Sequence, residues 1–159
     1  MKLIDEIRIP FKNPRLREVE KDYLERAKRR FFLHPRIPLS WVLKLNEAGD
    51  GGFVTTLKDV DYTDWASAKS VCESYEGANY EDWILPSLID LKEMYSTIGY
   101  GSNVGNIGGF SSENYWSSES SKTGNCKQSY GFSRDAGYIN CETENPNLFV
   151  RPVRSFKIN

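Results

Sequence analysis

The chain has 159 residues, of which 39% are hydrophobic and 13% aromatic, which is enough for one domain with an aromatic-rich core. Its formal net charge of -1 predicts no attraction of the chain as a whole to nucleic acid or to a membrane surface. No segment approaches the roughly 20 apolar residues of a membrane-spanning helix. Charged residues interrupt the N-terminus, so we expect no signal peptide and predict a protein that is cytoplasmic or carried on a particle.

Three cysteines are too few for a scaffold built on disulfides. The chain has one histidine, His34, and the spacing of Cys72, Cys126 and Cys141 fits no zinc pattern. We therefore expect free thiols, no metal site and no cofactor.

An amphipathic helix is predicted over residues 15–33, where apolar residues recur every three or four positions. They are Leu16, Val19, Tyr23, Leu24, Ala27 and Phe31. The basic run at 26–30 is typical of a helix C-terminus, where it complements the helix dipole, more than of a nucleic-acid contact. A strand is predicted over 38–45, and we interpret residues 1–45 as a segment that tethers or oligomerises the domain, or docks it to a larger assembly through residues 15–33.

The second part of the chain, residues 46–159, is predicted to be a ligand-binding domain. It begins with a turn over 46–52 and a strand over 53–57. The Asp-Gly-Gly in the turn lacks the alternating acidic ligands of a calcium loop, so a hairpin is the better interpretation.

Two helices follow the hairpin. The first is predicted over 63–75 with Thr63 or Asp64 as its N-cap, and its apolar face includes Cys72, which we expect to be a buried thiol. The second begins after Pro86, with Ser87 as N-cap and Asp90 as its capping-box partner.

A glycine-rich loop at 101–109 fits neither phosphate-loop nor dinucleotide spacing. Short strands are predicted beyond it, at 115–118, 127–133, 138–141 and 149–156.

The predicted hairpin register argues against a disulfide between the last two cysteines. If Ser133 pairs with Tyr138, then Cys141 lies opposite Tyr130, and Cys126 is four residues further along. Four strand residues span roughly 13 Å, whereas disulfide-bonded Cα atoms lie within about 7 Å of each other.

Several phrases, in a fixed order over residues 50–156, are similar to a known family. They are Trp65 to Cys72, Asp82-Trp83-Ile84-Leu85-Pro86-Ser87, Leu91, Gly109-Phe110, Tyr115-Trp116-Ser117-Ser118, Phe132 and Val150-Arg151-Pro152-Val153-Arg154. In these residues the chain resembles the C-terminal domain family of Legionella collagen-like proteins. The resemblance implies an α+β, C-type-lectin-like fold: two helices flank a small, twisted, mostly antiparallel sheet with long loops on one side. Here an N-terminal helix would precede it.

We interpret the residues of these phrases as a structural frame. They are Trp65, Trp83, Pro86, Trp116, Phe132, Arg151 and Arg154. The aromatic side chains would bury large areas. Arg151 is expected to bond loop carbonyls or an acidic residue, and holding a ligand carboxylate is the alternative role.

The lectin-like superfamily includes the variable proteins of diversity-generating retroelements, in which mutated Asn codons scatter into Asn, Tyr, Ser, Asp and Gly. Residues 101–147 are more than half Ser, Asn, Gly and Tyr, a composition also found in antibody paratopes. Polar loops with no such origin can have the same composition. The candidate ligand-binding positions are Asn106, Ser112, Asn114, Ser118, Ser120, Asn125, Ser129, Tyr130, Ser133, Asp135, Tyr138, Asn140, Asn145 and Asn147. Tyr115, Tyr130 and Tyr138 are the expected aromatic anchors.

These patterns predict a non-catalytic binding module of phage or bacterial origin whose hypervariable surface recognises a protein or a glycan. One alternative is a structural or receptor-binding component of a phage or injection particle. Another is a relative of the formylglycine-generating enzymes, which would need a reactive cysteine pair or a metal site. Cys126 and Cys141 are the candidates for that pair, and the predicted register separates them.

Overall fold

The computed structural model describes residues 40–48, 50–77 and 80–157, which belong to a compact unit of residues 37–159. These residues form two helices and two sheets, so the α+β class is confirmed. The helix predicted over 15–33 lies outside the described residues. Within the described ranges no helix has the length and apolar character needed to cross a membrane.

The unit has three strands, then two helices, then five strands. The strands are β1 (Ser40–Leu45), β2 (Gly51–Thr56), β3 (Asp61–Thr63), β4 (Asn114–Ser120), β5 (Lys127–Phe132), β6 (Gly137–Glu142), β7 (Leu148–Val150) and β8 (Val153–Lys157). The helices are α1 (Trp65–Glu73) and α2 (Leu88–Thr97).

The smaller sheet has the order β1-β2-β8 and is antiparallel. β1 and β2 form the predicted hairpin, whose turn is held by two bonds between Asn46 and Asp50, at 2.5 and 3.1 Å. Because β1 pairs with β2, residues 40–45 belong to the compact unit and not to the N-terminal segment in which we had placed them.

The larger sheet has the order β3-β7-β4-β5-β6, and its one parallel pair joins β4 to β7. The single closing strand predicted over 149–156 is wrong, because β7 and β8 belong to different sheets. The chain crosses between the sheets at Arg151-Pro152. Proline has no N–H to donate to the backbone hydrogen bonds of a sheet, so regular pairing is interrupted here. The Pro152 carbonyl accepts a hydrogen bond from the Thr55 hydroxyl at 2.7 Å.

Both helix starts follow the local signals in the sequence. Asp64 caps α1 by accepting the backbone N–H of Ser67 at 3.0 Å. Ser87 and Asp90 form the predicted capping box of α2, with bonds of 3.1 and 2.9 Å. Each cap satisfies backbone donors that a helix cannot pair internally.

The two helices cover opposite faces of the larger sheet. Ala68 and Cys72 of α1 pack with Trp116 in one hydrophobic cluster. Tyr95 of α2 packs against Phe132, with ring centroids 5.6 Å apart. Cys72 is the predicted buried thiol, and burial raises its pKa to about 12.

Arg154 of β8 pairs with Asp82 through two hydrogen bonds of 2.6 and 3.1 Å and stacks 3.6 Å over the Tyr80 ring. The hydrogen bonds from Arg154 hold the pKa of Asp82 below its usual value. A lowered folded-state pKa contributes stability above the unfolded value, about 3.9, and this contribution is lost as the pH falls through the folded value.

We therefore expect Asp82→Asn to reduce the loss of stability between pH 5 and pH 2. The effect should stay within about 1 kcal/mol, since the Asp82 side chain is 58% exposed. Urea titrations of both proteins across this range would measure it. If the free energy of unfolding falls with pH equally in the two proteins, the Asp82–Arg154 pair does not contribute to stability as we expect.

Candidate functional site

Arg151 lies in the core and is fully buried. Its Nε donates to Asp59 Oδ1 at 2.8 Å, and its Nη1 donates to the carbonyls of Thr56 and Gly108 at 3.0 Å each. Phe110 stacks on the guanidinium at 4.2 Å. These contacts match the structural role expected from the sequence, and the burial removes Arg151 from any ligand surface.

Tyr115, expected to be a surface anchor, is buried, and that expectation is wrong. Its hydroxyl donates to Asp59 Oδ2 at 2.9 Å and accepts the N–H of Ser111 at 2.8 Å. Burial, followed by the nearby Asp59 charge, raises the Tyr115 pKa. Arg151, Asp59 and Tyr115 thus form one buried network, which joins β4, the β2–β3 loop and the glycine-rich loop.

Three more candidate positions serve the scaffold. Tyr130 is buried between α2 and the sheet, with its ring centroid 5.9 Å from that of Tyr95. Ser129 is buried and donates its hydroxyl to Glu142 Oε1 at 2.8 Å. The Asn106 side chain bonds the backbone of Phe110 at 2.7 and 3.1 Å. The prediction that Ser129 and Tyr130 belong to the recognition surface is therefore wrong. Asn106 closes the end of the glycine-rich loop.

Cys126 and Cys141 form a disulfide, with Cα atoms 5.4 Å apart, so the prediction of free thiols is wrong for both. The reason is the hairpin register: Tyr138 lies opposite Gly131, and Cys141 lies opposite Gln128. This places Cys141 diagonally beside Cys126. The distance argument against a paired-cysteine site therefore fails.

Within the described residues, one face of the larger sheet has no helix over it beyond α1, which packs on β3, β4 and β7. We call it the open face and define it by Asn114, Gly131, Tyr138, Asn140 and Glu142. Cross-strand pairing places these residues on one side: Asn114 opposes Gly131, which opposes Tyr138, and Asn114 Nδ2 donates to Glu142 Oε1 at 3.3 Å.

Tyr138 is the aromatic centre of the open face and is 46% exposed. A Cβ at Gly131 would lie 2.4 Å from the Tyr138 ring, so only glycine lets the ring lie flat on the sheet. The ring thus already contacts the sheet on one side and presents its other side to a ligand.

A cleft of about 320 Å³ adjoins the open face, and we call it the Trp65 cleft. Its lining is Trp65, Ala66, Gly124, Asn125, Cys126, Lys127, Glu142, Thr143, Glu144 and Asn145. Glu142 belongs to both surfaces, and the disulfide closes one wall.

The indole of Trp65 is anchored at its polar edge and flanked by charge. Its Nε1 donates to the carbonyl of Ser117 at 2.8 Å. The ammonium groups of Lys69 and Lys127 lie 4.0 and 4.1 Å from the ring centroid. Trp65 was predicted as frame alone, and its half-buried position in a cleft could not be read from helix periodicity.

The remaining candidates are distributed over other parts of the unit. Ser118 lines a second cleft of about 220 Å³ with Lys69 and Ile84. The others are Ser112 before β4, Ser120 at its end, Ser133 and Asp135 in the β5–β6 turn, and Asn147 before β7. The structure thus brings together Asn114, Asn125, Tyr138, Asn140 and Asn145, a smaller set than the sequence suggested.

The chemistry available at this site is that of amide, hydroxyl, ammonium and carboxylate groups around two aromatic rings. No group of three or more His, Cys, Asp or Glu side chains able to hold a metal ion occurs among residues 40–48, 50–77 and 80–157. The chain matches no family model and none of the curated proteins with which it was compared.

Proposed function

We propose that this protein is a non-catalytic binding module whose recognition surface is the open face together with the Trp65 cleft. One observation carries the proposal. Positions from separate stretches of the chain, at 114, 125, 138, 140 and 145, meet on one side of a sheet that α1 leaves open within the described residues.

The scaffold we propose is C-type-lectin-like. In support, two helices flank a mostly antiparallel sheet, and β2, near the start of the unit, pairs with β8 at its end. The Asn residues of the open face and the Trp65 cleft are of the type that a mutagenic retroelement diversifies. Lys127, Glu142 and Glu144 are not, so variable and fixed residues alternate on the proposed surface.

The composition of this surface favours a protein or a glycan as ligand. Tyr138 provides rigid contact area, while the amides of Asn114 and Asn140 provide adaptable hydrogen bonds. Aromatic rings beside amide groups also suit the apolar faces and hydroxyls of sugars.

The states of the cysteines support binding over thiol chemistry. Cys126 and Cys141 are joined to each other, and the raised pKa of Cys72 keeps its buried thiol protonated at neutral pH. Because structural disulfides persist mainly outside reducing compartments, we place the module on a particle or another exposed surface in preference to the cytoplasm.

The test is a binding screen of the labelled full chain on a printed glycan array and on a displayed peptide library. The variant Asn114→Ala/Tyr138→Ala/Asn140→Ala should lose at least about tenfold in affinity for any hit, which corresponds to about 1.4 kcal/mol. Its melting temperature should change little, since these side chains lie outside the core.

The matched control is Ser112→Ala/Asp135→Ala/Asn147→Ala, which removes three exposed polar side chains away from the open face. We expect it to bind as the wild type does. Equal loss in both variants, or binding that survives the open-face substitutions, would contradict the proposal.

A further inference from the structure

β6 is the last strand of the larger sheet in the described part of the chain. Its six residues pair in continuous register with β5. The backbone of Phe132 faces β4, because its N–H donates to the carbonyl of Glu113 at 2.9 Å. The Gln128 carbonyl also faces β4, since it accepts the Ser117 hydroxyl.

Residues of an antiparallel strand direct their backbone groups alternately to the two sides. The odd-numbered residues of β5 therefore bond to Tyr138, Asn140 and Glu142 of β6. The N–H and C=O groups of Gly137, Ile139 and Cys141 point away from the sheet, in a row along its edge.

This edge lacks the usual protection against pairing. Natural edge strands carry lysines, prolines or bulges, whereas β6 reads Gly-Tyr-Ile-Asn-Cys-Glu with no register shift. Ile139, in the middle, is 58% exposed. An exposed, regular edge of this kind is a template for another strand.

We propose that the occupant of this edge is the β6 strand of a second copy of the chain, antiparallel and with Ile139 opposite Ile139 across a twofold axis. In an antiparallel pair related by a twofold axis, the numbers of two opposing residues always add up to the same value. With Ile139 on the axis, Gly137 of one strand opposes Cys141 of the other. All three outward-facing residues of each strand then bond across the interface, which gives up to about six backbone hydrogen bonds. Centring on Asn140 would give about four.

The side chains agree with this register. Exposed Ile139 meets its own apolar counterpart, and Tyr138 meets Asn140 of the second copy. An apolar pair at the centre of two regular strands favours this pairing over a slipped one.

The inference goes beyond the proposed function. Two open faces would continue across the axis, so that one dimer presents two recognition surfaces and gains avidity for a repetitive target. A monomeric chain could still bind ligand, so the two proposals fail separately.

The experiment is amide hydrogen exchange on the full chain at low and high protein concentration, with light scattering to give the oligomeric state. The amides of Tyr138, Asn140 and Glu142 bond to β5 and should exchange slowly at both concentrations. The amides of Ile139 and Cys141 should become at least about tenfold slower as the dimer forms.

Variants then test the register. Ile139→Lys places two like charges on the axis and should weaken dimerisation at least about tenfold, which corresponds to 1.4 kcal/mol. Ile89→Lys, the same change at an isoleucine of α2 that is 79% exposed, is the control and should have no effect. Ile139→Glu should weaken the dimer as much as Ile139→Lys does, and mixing the two variants should restore pairing, because opposite charges would then meet on the axis.

Three results would overturn the inference. One is a chain that stays monomeric at all concentrations. Another is a dimer in which the Ile139 and Cys141 amides still exchange rapidly. The third is protection of these amides only by an added foreign peptide.

Discussion

Replacing Arg151 by methionine is expected to lower the free energy of unfolding by about 3–5 kcal/mol, the usual cost of removing one partner from a buried ion pair. Methionine fills much of the same space but leaves the Asp59 carboxylate without its cationic partner. It also removes the guanidinium donor from the carbonyls of Thr56 and Gly108 in the core. Urea unfolding followed by tryptophan fluorescence would measure the loss.

Arg154→Met is the matched control, since both arginines pair with an aspartate and stack on an aromatic ring. Asp82 is largely exposed, so water can solvate it when Arg154 is removed. The expected loss is about 1 kcal/mol. If both variants lose the same free energy of unfolding, the buried network around Arg151 contributes no more to stability than the exposed pair does.

Removing the disulfide by Cys126→Ser/Cys141→Ser is expected to cost about 3 kcal/mol, the chain-entropy estimate for closing a loop of about 15 residues. The loss should appear equally in the wild type after reduction. Ligand binding at the open face should weaken as well, because the disulfide joins the start of β5 to β6, the strand that carries Tyr138 and Asn140.

A thiol count provides the control for this prediction. The denatured, unreduced wild type should react at one cysteine, Cys72, and the reduced protein at all three. Three reactive thiols without reductant, or a double variant as stable as the wild type, would contradict the structural role of the bond.

The parts of the fold that could be predicted are those set by local chemistry. Asp64, Ser87 and Asp90 begin their helices because their side chains satisfy the first backbone donors, which depends on a few adjacent residues. The same holds for the Asn46–Asp50 turn.

The register of the β5–β6 hairpin could not be predicted in this way. The predicted strands at 127–133 and 138–141 leave Gly137 in the turn between them, where glycine is common, whereas the structure places it in β6 opposite Phe132. Its role is steric: a Cβ there would lie 2.3 Å from the hydroxyl of Tyr130. This packing moves the pairing by two residues and brings Cys126 to Cys141.

Composition also failed to separate the tyrosines of the surface from those of the core. Tyr115 and Tyr138 occur in similar polar surroundings in the sequence. α2 and Phe110 cover the face to which Tyr115 points. On the other face α1 covers β3, β4 and β7 but does not extend to Tyr138 on β6. Which faces of a sheet are covered depends on tertiary packing and not on local pattern.

The most direct measurement for the recognition surface is chemical-shift mapping of the isotope-labelled chain, titrated with the strongest hit from the glycan array or the peptide library. We predict that the shifted amides cluster at Asn114, Gly131, Tyr138, Asn140 and Asn145. Shifts confined to the glycine-rich loop at 101–109 or to α2, with the open face unchanged, would contradict the proposed surface.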